Sequence, residues 1–150
     1  MPETQTSANL IPRWAIIAFL VFASIGFADA TYLTAKHYLG TSLPCSITLG
    51  CDAVTRSQYA TVFGIPVALL GAFYYLTMII LSAATLWFGN EKLMRIASRL
   101  TIVGLLASAW FIYLQLFVIH AICIYCVTSA GSSTALFYIG WRVRELFKAS

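Results

Sequence analysis

The sequence predicts an all-α integral membrane protein, one domain over residues 1–150 arranged as a bundle of four transmembrane helices. Three observations carry this. Hydrophobic residues make up 61% of the chain and charged residues only 9%. A soluble domain carries about a quarter charged residues, so this chain cannot clothe a water-facing surface. Its apolar residues also fall into four runs, each near the roughly 20 residues a helix needs to cross a bilayer. The third observation is where the charge sits. The net charge of +4 comes from basic residues gathered at the ends of apolar runs, as membrane topology requires, and is no sign of nucleic-acid binding.

Residues 1–12 are polar and are expected to be disordered. The first span, 14–34, begins at Trp14 and is interrupted only by Asp29. Ala28-Asp29-Ala30 resembles the small-residue site at which a signal peptide is cut. The preceding segment carries a glutamate beside its one arginine, which favours a retained helix. Residues 36–65 form the one long polar stretch and contain Gly40, Pro44, Cys45, Gly50, Cys51, Asp52 and Arg56. Phe63-Gly64-Ile65-Pro66 leads into the second span, 66–88, where Pro66 suits a first helical turn because its missing N–H breaks no bond there. Gly89-Asn90-Glu91-Lys92 ends it. The third run starts near Met94, with the span at 96–119. His120-Ala121-Ile122 is a tight turn, and the fourth span covers 123–141. The tail from Arg142 to Ser150 is basic and amphipathic. Trp14, Trp87 and Trp141 fall near span ends, where aromatic belts occur.

With four spans, Arg13, Lys92, Arg95, Arg99, Arg142, Arg144 and Lys148 share one side, while Lys36 and Arg56 fall on the other. Seven against two places both termini in the cytoplasm. All four cysteines then lie on or near the extracytoplasmic face, where disulfides persist.

Four cysteines allow three pairings. Cys123-Ile124-Tyr125-Cys126 places two sulfurs one turn apart on one helix face, close enough to close a disulfide. At a helix start the partial positive charge favours a thiolate, which makes such a pair redox-competent. Cys45 and Cys51 lie in the polar stretch, within reach of soluble partners. Thiol–disulfide exchange would carry electrons between the two pairs through a mixed disulfide. Spacing alone leaves open a membrane scaffold with two structural disulfides, or one disulfide plus free thiols. A small metal or thiol transporter is disfavoured, because only one buried ionisable candidate is present. Metal binding is not expected, since a closed zinc site needs four converging ligands. Covalent haem attachment needs a histidine after the second cysteine, and Val127 stands there. Asp29 is a functional candidate because carboxylates within spans are costly, or else an interfacial group bonded to neighbouring helices. His120 could relay protons or simply anchor the turn. Asp52 and Arg56 read as solvated loop charges.

Taken together, Cys45-x5-Cys51, the stretch from Tyr59 to Gly71 (Tyr-Ala-Thr-Val-Phe-Gly-Ile-Pro-Val-Ala-Leu-Leu-Gly) and Cys123-x2-Cys126 resemble the vitamin K epoxide reductase family. Tyr32-Leu33-Thr34 is similar to its bacterial members, and the resemblance runs from about Trp14 to Trp141. In DsbB, the other disulfide-generating membrane family, the C-x-x-C comes in the first outer loop; here it comes last. The resemblance implies a four-helix bundle around a quinone, capped by the extracytoplasmic loop between helices 1 and 2. It implies that Cys126 faces a ubiquinone-, menaquinone- or phylloquinone-like ring and that Cys123 is its disulfide partner. Cys51 would form the mixed disulfide with Cys123, and Cys45 would exchange with a thioredoxin-like protein. Residues 64–70 would line the quinone pocket, with Phe63, Gly64 and Val67 as contacts. Many members carry a fused thioredoxin-like domain; this sequence stops at Ser150, so its partner is expected to be a separate DsbA-type protein. Two positions depart from the vertebrate pattern: Ala60 and Ala130 stand where an asparagine and a tyrosine hydrogen-bond the vitamin. The expected function is that of an inner-membrane thiol:quinone oxidoreductase supporting disulfide formation, with epoxide reduction placed in doubt.

Overall fold

The computed structural model describes residues 11–40 and 57–149. Four long helices make up these residues: α1 (Arg13–Leu39), α2 (Val67–Phe88), α3 (Glu91–Tyr113) and α4 (Ile124–Ala149). A short hairpin, β1 (Thr61–Val62) with β2 (Ile65–Pro66), precedes α2, and a π-helical segment, Leu114–Ile119, continues α3. The expected disorder of the N-terminus and the loop holding Cys45, Cys51, Asp52 and Arg56 lie outside the described residues.

Each helix end has a local cause. Gly40 (φ 66°) closes α1, its N–H donating to the His37 carbonyl at 3.3 Å. Gly89 (φ 65°) closes α2 in the same left-handed conformation, donating to the Thr85 carbonyl at 2.9 Å; glycine adopts this conformation without steric cost. Asn90 then caps α3 by accepting the Lys92 N–H at 3.0 Å, and Glu91 complements the dipole in the first turn. The break expected at residues 89–92 is therefore a tight turn between antiparallel helices. Pro66 ends β2 and caps α2, one position before the first helical turn assigned to it from sequence.

Three helical stretches, Arg13–Leu39, Val67–Phe88 and Glu91–Ile119, are long and apolar enough to cross a membrane. The protein is a membrane protein, and large apolar side chains such as Phe73, Ile80 and Leu106 stand exposed along its flanks, as lipid contact demands. α4 is outside that set because Thr128, Ser129, Ser132, Ser133 and Thr134 dilute its apolar character. The tail expected after Trp141 is instead continuous with α4. Glu145 accepts from both Trp141 Nε1 and Lys148 Nζ at 3.3 Å, holding the last turns.

α1 packs on α2 and α4, and α3 packs on α4 and α2. Small residues set the closest approaches, as in membrane bundles generally. A side chain at Gly26 would overlap the Tyr75 ring, and one at Gly140 would meet Thr101 Oγ1 at 3.1 Å and the Ser98 Cα at 3.2 Å. Phe19, Met78, Met94, Leu136 and Val143 fill the core between them. Hydroxyls within the helices bond to backbone carbonyls one turn back, as Ser82 does to Met78 (2.7 Å) and Thr85 to Leu81 (2.7 Å), so no water is needed to satisfy them. The two ends of the bundle differ. Arg95 stacks on the Phe147 ring at 4.6 Å, which brings the start of α3 to the end of α4. The C-x-x-C lies at the opposite end, packed with Leu33, Ala68 and Ile119.

Candidate functional site

The π-helical segment builds the cysteine end. Its backbone turns off at His120, in the left-handed region (φ 56°), with the Ala121 N–H donating to the Gln115 carbonyl at 3.1 Å. Extra residues inside helices of this kind recur at functional sites. The Gln115 side chain closes the same turn: its Oε1 accepts the Cys123 N–H at 3.0 Å. Both residues are buried, and burying that N–H without an acceptor would cost about 1–3 kcal/mol. His120 stands exposed at this turn, in its left-handed position.

Cys123 caps α4, its carbonyl accepting the Val127 N–H at 3.0 Å, and Cys126 sits in the first turn. Their sulfurs are in hydrogen-bonding contact. The two differ in access: Cys123 is fully buried, while Cys126 is partly exposed. Tyr125, between them, packs against Tyr32 of α1 with ring centroids 5.3 Å apart, and Lys36 Nζ lies 5.5 Å from the Tyr32 ring centroid. That contact joins two stretches singled out in the sequence. Asp29, on the same helix as Tyr32, lies within electrostatic reach of Cys123 and Cys126. Its Oδ2 is buried with no hydrogen-bond partner among the described residues.

A cavity of about 360 Å³ opens beside Cys126, between all four helices and the hairpin. Its wall is mostly apolar. Of the expected contacts, Cys126 and Val67 line it, and of the rest of residues 64–70 so do Pro66, Ala68 and Leu70 but not Ile65 or Leu69. Phe63 and Gly64 do not. They form the two-residue tip of the hairpin, in register Val62↔Ile65 and both with positive φ (52° and 78°), the backbone signature of a type I′ turn. Phe63 is 100% exposed there. Ala60 and Ala130 both face the cavity, so the two departures noted in the sequence fall on its wall. Cys123 lies behind Cys126, outside the lining.

Sequence reasoning did not single out several polar residues of the wall, among them His37, Tyr74, Tyr75, Gln115, Ser129 and Ser133. Tyr75, 1% exposed, donates to the Ser129 carbonyl at 2.7 Å, and its oxygen lies 3.0 Å from Ser129 Oγ and 2.8 Å from Ser133 Oγ. Two adjacent tyrosines in an apolar helix, opposite serines four apart, were the available signal. Only the packing of α2 on α4 pairs them.

A protein-family model for the vitamin K epoxide reductase family matches residues 17–141. The chain belongs to that family. A thiol-disulfide oxidoreductase of Arabidopsis thaliana is 34% identical over 122 residues, covering 74% of this chain. The chain spans about a third (32%) of that relative's length. The matched region starts inside α1 and ends at Trp141 in α4. It takes in the hairpin, the residues of the cavity wall and the positions of all four cysteines.

Proposed function

We propose that this protein is a thiol:quinone oxidoreductase that crosses the membrane four times, oxidises a thioredoxin-like, DsbA-type dithiol and reduces a membrane quinone. The observation that carries the reading is the position of Cys126, the one sulfur of the C-x-x-C in the wall of an apolar cavity open to all four helices. A cavity of about 360 Å³, lined by aliphatic and aromatic side chains with few polar groups, fits a planar lipophilic headgroup. The polar stripe of α4 suits a span shielded by its neighbours, since such residues face the bundle interior in membranes. Seven basic residues at one end support a cytoplasmic position for that end. The cysteines then face outward across the inner membrane.

Electrons and protons balance as follows. A partner thiolate attacks Cys45 of a Cys45–Cys51 disulfide; the partner's second thiol displaces it, leaving the partner oxidised and both loop cysteines reduced. The Cys51 thiolate attacks Cys123 of a Cys123–Cys126 disulfide and releases Cys126 as a thiolate. Cys45 then attacks Cys51, restoring the loop disulfide and freeing Cys123. The Cys123–Cys126 dithiol passes two electrons and two protons to the quinone, giving quinol and re-forming the disulfide. The quinone supplies the two-electron chemistry. Gln115 holds the Cys123 backbone, α4 holds Cys126 against the cavity, and the apolar wall excludes water.

Exchange proceeds by attack on one specific sulfur, so removing the resolving thiol stalls the step before it. In the reverse direction, Cys126→Ser lets the Cys123 thiolate attack Cys51 of the loop disulfide, releasing Cys45 with no Cys126 to resolve the product, so an intramolecular Cys51–Cys123 disulfide should accumulate. Cys51→Ser likewise lets Cys45 attack the oxidised soluble partner with no Cys51 to resolve it, leaving a mixed disulfide between them. Cys123→Ser should leave the loop reducible by the partner but not reoxidised by quinone. Non-reducing peptide mapping reads all three. A Cys45–Cys123 bond in Cys126→Ser would reverse the roles within the loop pair, and normal partner oxidation by all four serine variants would sink the relay.

A further inference from the structure

We infer that the hydroxyl cluster of Tyr75, Ser129 and Ser133 is the polar contact for the quinone headgroup, donating to its carbonyl before reduction and accepting from the quinol hydroxyl afterwards. This rests on the reading of the cavity as a quinone site. All three residues line that cavity together with Cys126. Ser129 follows Cys126 by three positions and Ser133 by seven, the spacing of one helix face, so the cluster begins one turn from the reactive sulfur. Tyr75 comes from the opposing helix and meets both serines, at 3.0 and 2.8 Å.

The chemistry of the ligand favours this cluster over Gln115 and Tyr74, two other polar residues of the wall. A quinone carbonyl only accepts hydrogen bonds, whereas the quinol oxygen that replaces it also donates. A contact serving both forms must be able to reverse, and hydroxyls are donors and acceptors at once. Here the Tyr75 proton points to the Ser129 carbonyl, which leaves each serine Oγ–H to turn either to Tyr75 or into the cavity. Ser129 is the partly exposed member and the one that reaches the ligand, with Tyr75 and Ser133 setting its orientation. Gln115 already uses its Oε1 on the Cys123 N–H, which leaves its Nε2 as a donor only, unable to accept from the quinol hydroxyl. Tyr74, another phenol of the wall, has its hydroxyl buried against Gly104 and without a hydrogen-bond partner among the described residues. The cluster also stands one residue from Ala130, where this chain has no polar side chain to offer.

The test uses the purified full-length protein in nanodiscs with a ubiquinone analogue carrying 13C at its carbonyls. Infrared difference spectra give the carbonyl stretch of the bound quinone, and titration of the same samples gives its affinity. Ser129→Ala should move the stretch of one carbonyl to higher frequency and weaken binding about three- to tenfold, the effect of one neutral hydrogen bond. Ser129→Thr should restore both. Tyr75→Phe should shift the same band less, since it only frees the serine. An unchanged stretch and affinity in Ser129→Ala, with wild type binding saturably, would overturn the inference and leave the quinone reading standing. Absence of saturable binding to wild type would overturn both.

Discussion

Replacing Tyr75 by Phe isolates the tie between α2 and α4. The ring stays, so its packing in the space left by Gly26 is kept, and only the hydroxyl is lost. That oxygen makes three contacts, at 2.7 Å to the Ser129 carbonyl, 3.0 Å to Ser129 Oγ and 2.8 Å to Ser133 Oγ. Counted separately at about 0.5–1.5 kcal/mol each they would sum to about 1.5–4.5 kcal/mol. Two facts lower that figure. Hydrogen bonds between membrane helices average only about 0.6 kcal/mol, with a maximum near 1.7. Serines on α4 can also turn onto the carbonyl four residues back, as Thr128 does to Ile124 (2.9 Å) and Thr134 to Ala130 (2.8 Å). For Ser133 that carbonyl belongs to Ser129, which Tyr75 no longer occupies. The expected loss is therefore about 1–1.5 kcal/mol, roughly a five- to twelvefold drop in the folding constant. Reversible unfolding in mixed detergent micelles measures it, with Ser133→Ala and the double variant completing a cycle. No measurable loss, or fully additive effects of the two substitutions, would refute the shared network.

Three further outcomes follow from other parts of the molecule. Gln115→Leu keeps the side-chain volume but strands the buried Cys123 N–H, and should lower stability by about 1–3 kcal/mol in the same unfolding assay; a loss below about 0.5 kcal/mol would mean the turn finds another acceptor. A membrane-impermeant thiol reagent added to intact cells after reduction should label Cys45 and Cys51, and labelling only after inner-membrane lysis would contradict the orientation. With alanine at positions 60 and 130 of the cavity wall, the protein should turn over quinones but reduce vitamin K epoxide little; comparable rates on both, followed chromatographically, would show that donors at those positions do not decide the substrate.

Composition and spacing alone settled the solvent of this protein. A chain with 61% hydrophobic residues in runs of spanning length has only lipid to face, and the glycines and asparagine between Phe88 and Glu91 dictate a turn by their own backbone and capping preferences. The ordering of the cysteines, with the C-x-x-C last, was equally legible, because covalent order is local information. The fourth helix was harder to read. Its serines and threonines dilute the apolar run, and only packing shows that Ser132 and Ser133 are buried. Tertiary structure also decided which sulfur meets the cavity, because the turn built by the π-helical segment and Gln115 rotates Cys123 inward and leaves Cys126 on the wall. It likewise separated Val67, which lines the cavity, from Phe63 and Gly64, which form the hairpin tip. One motif in sequence is divided in space because a two-residue turn reverses the chain within it. The Tyr75 cluster depended on tertiary structure most of all. Tyr75 lies more than 50 positions from either serine, and no periodicity within α2 or α4 encodes a meeting that the absent side chain of Gly26 makes possible.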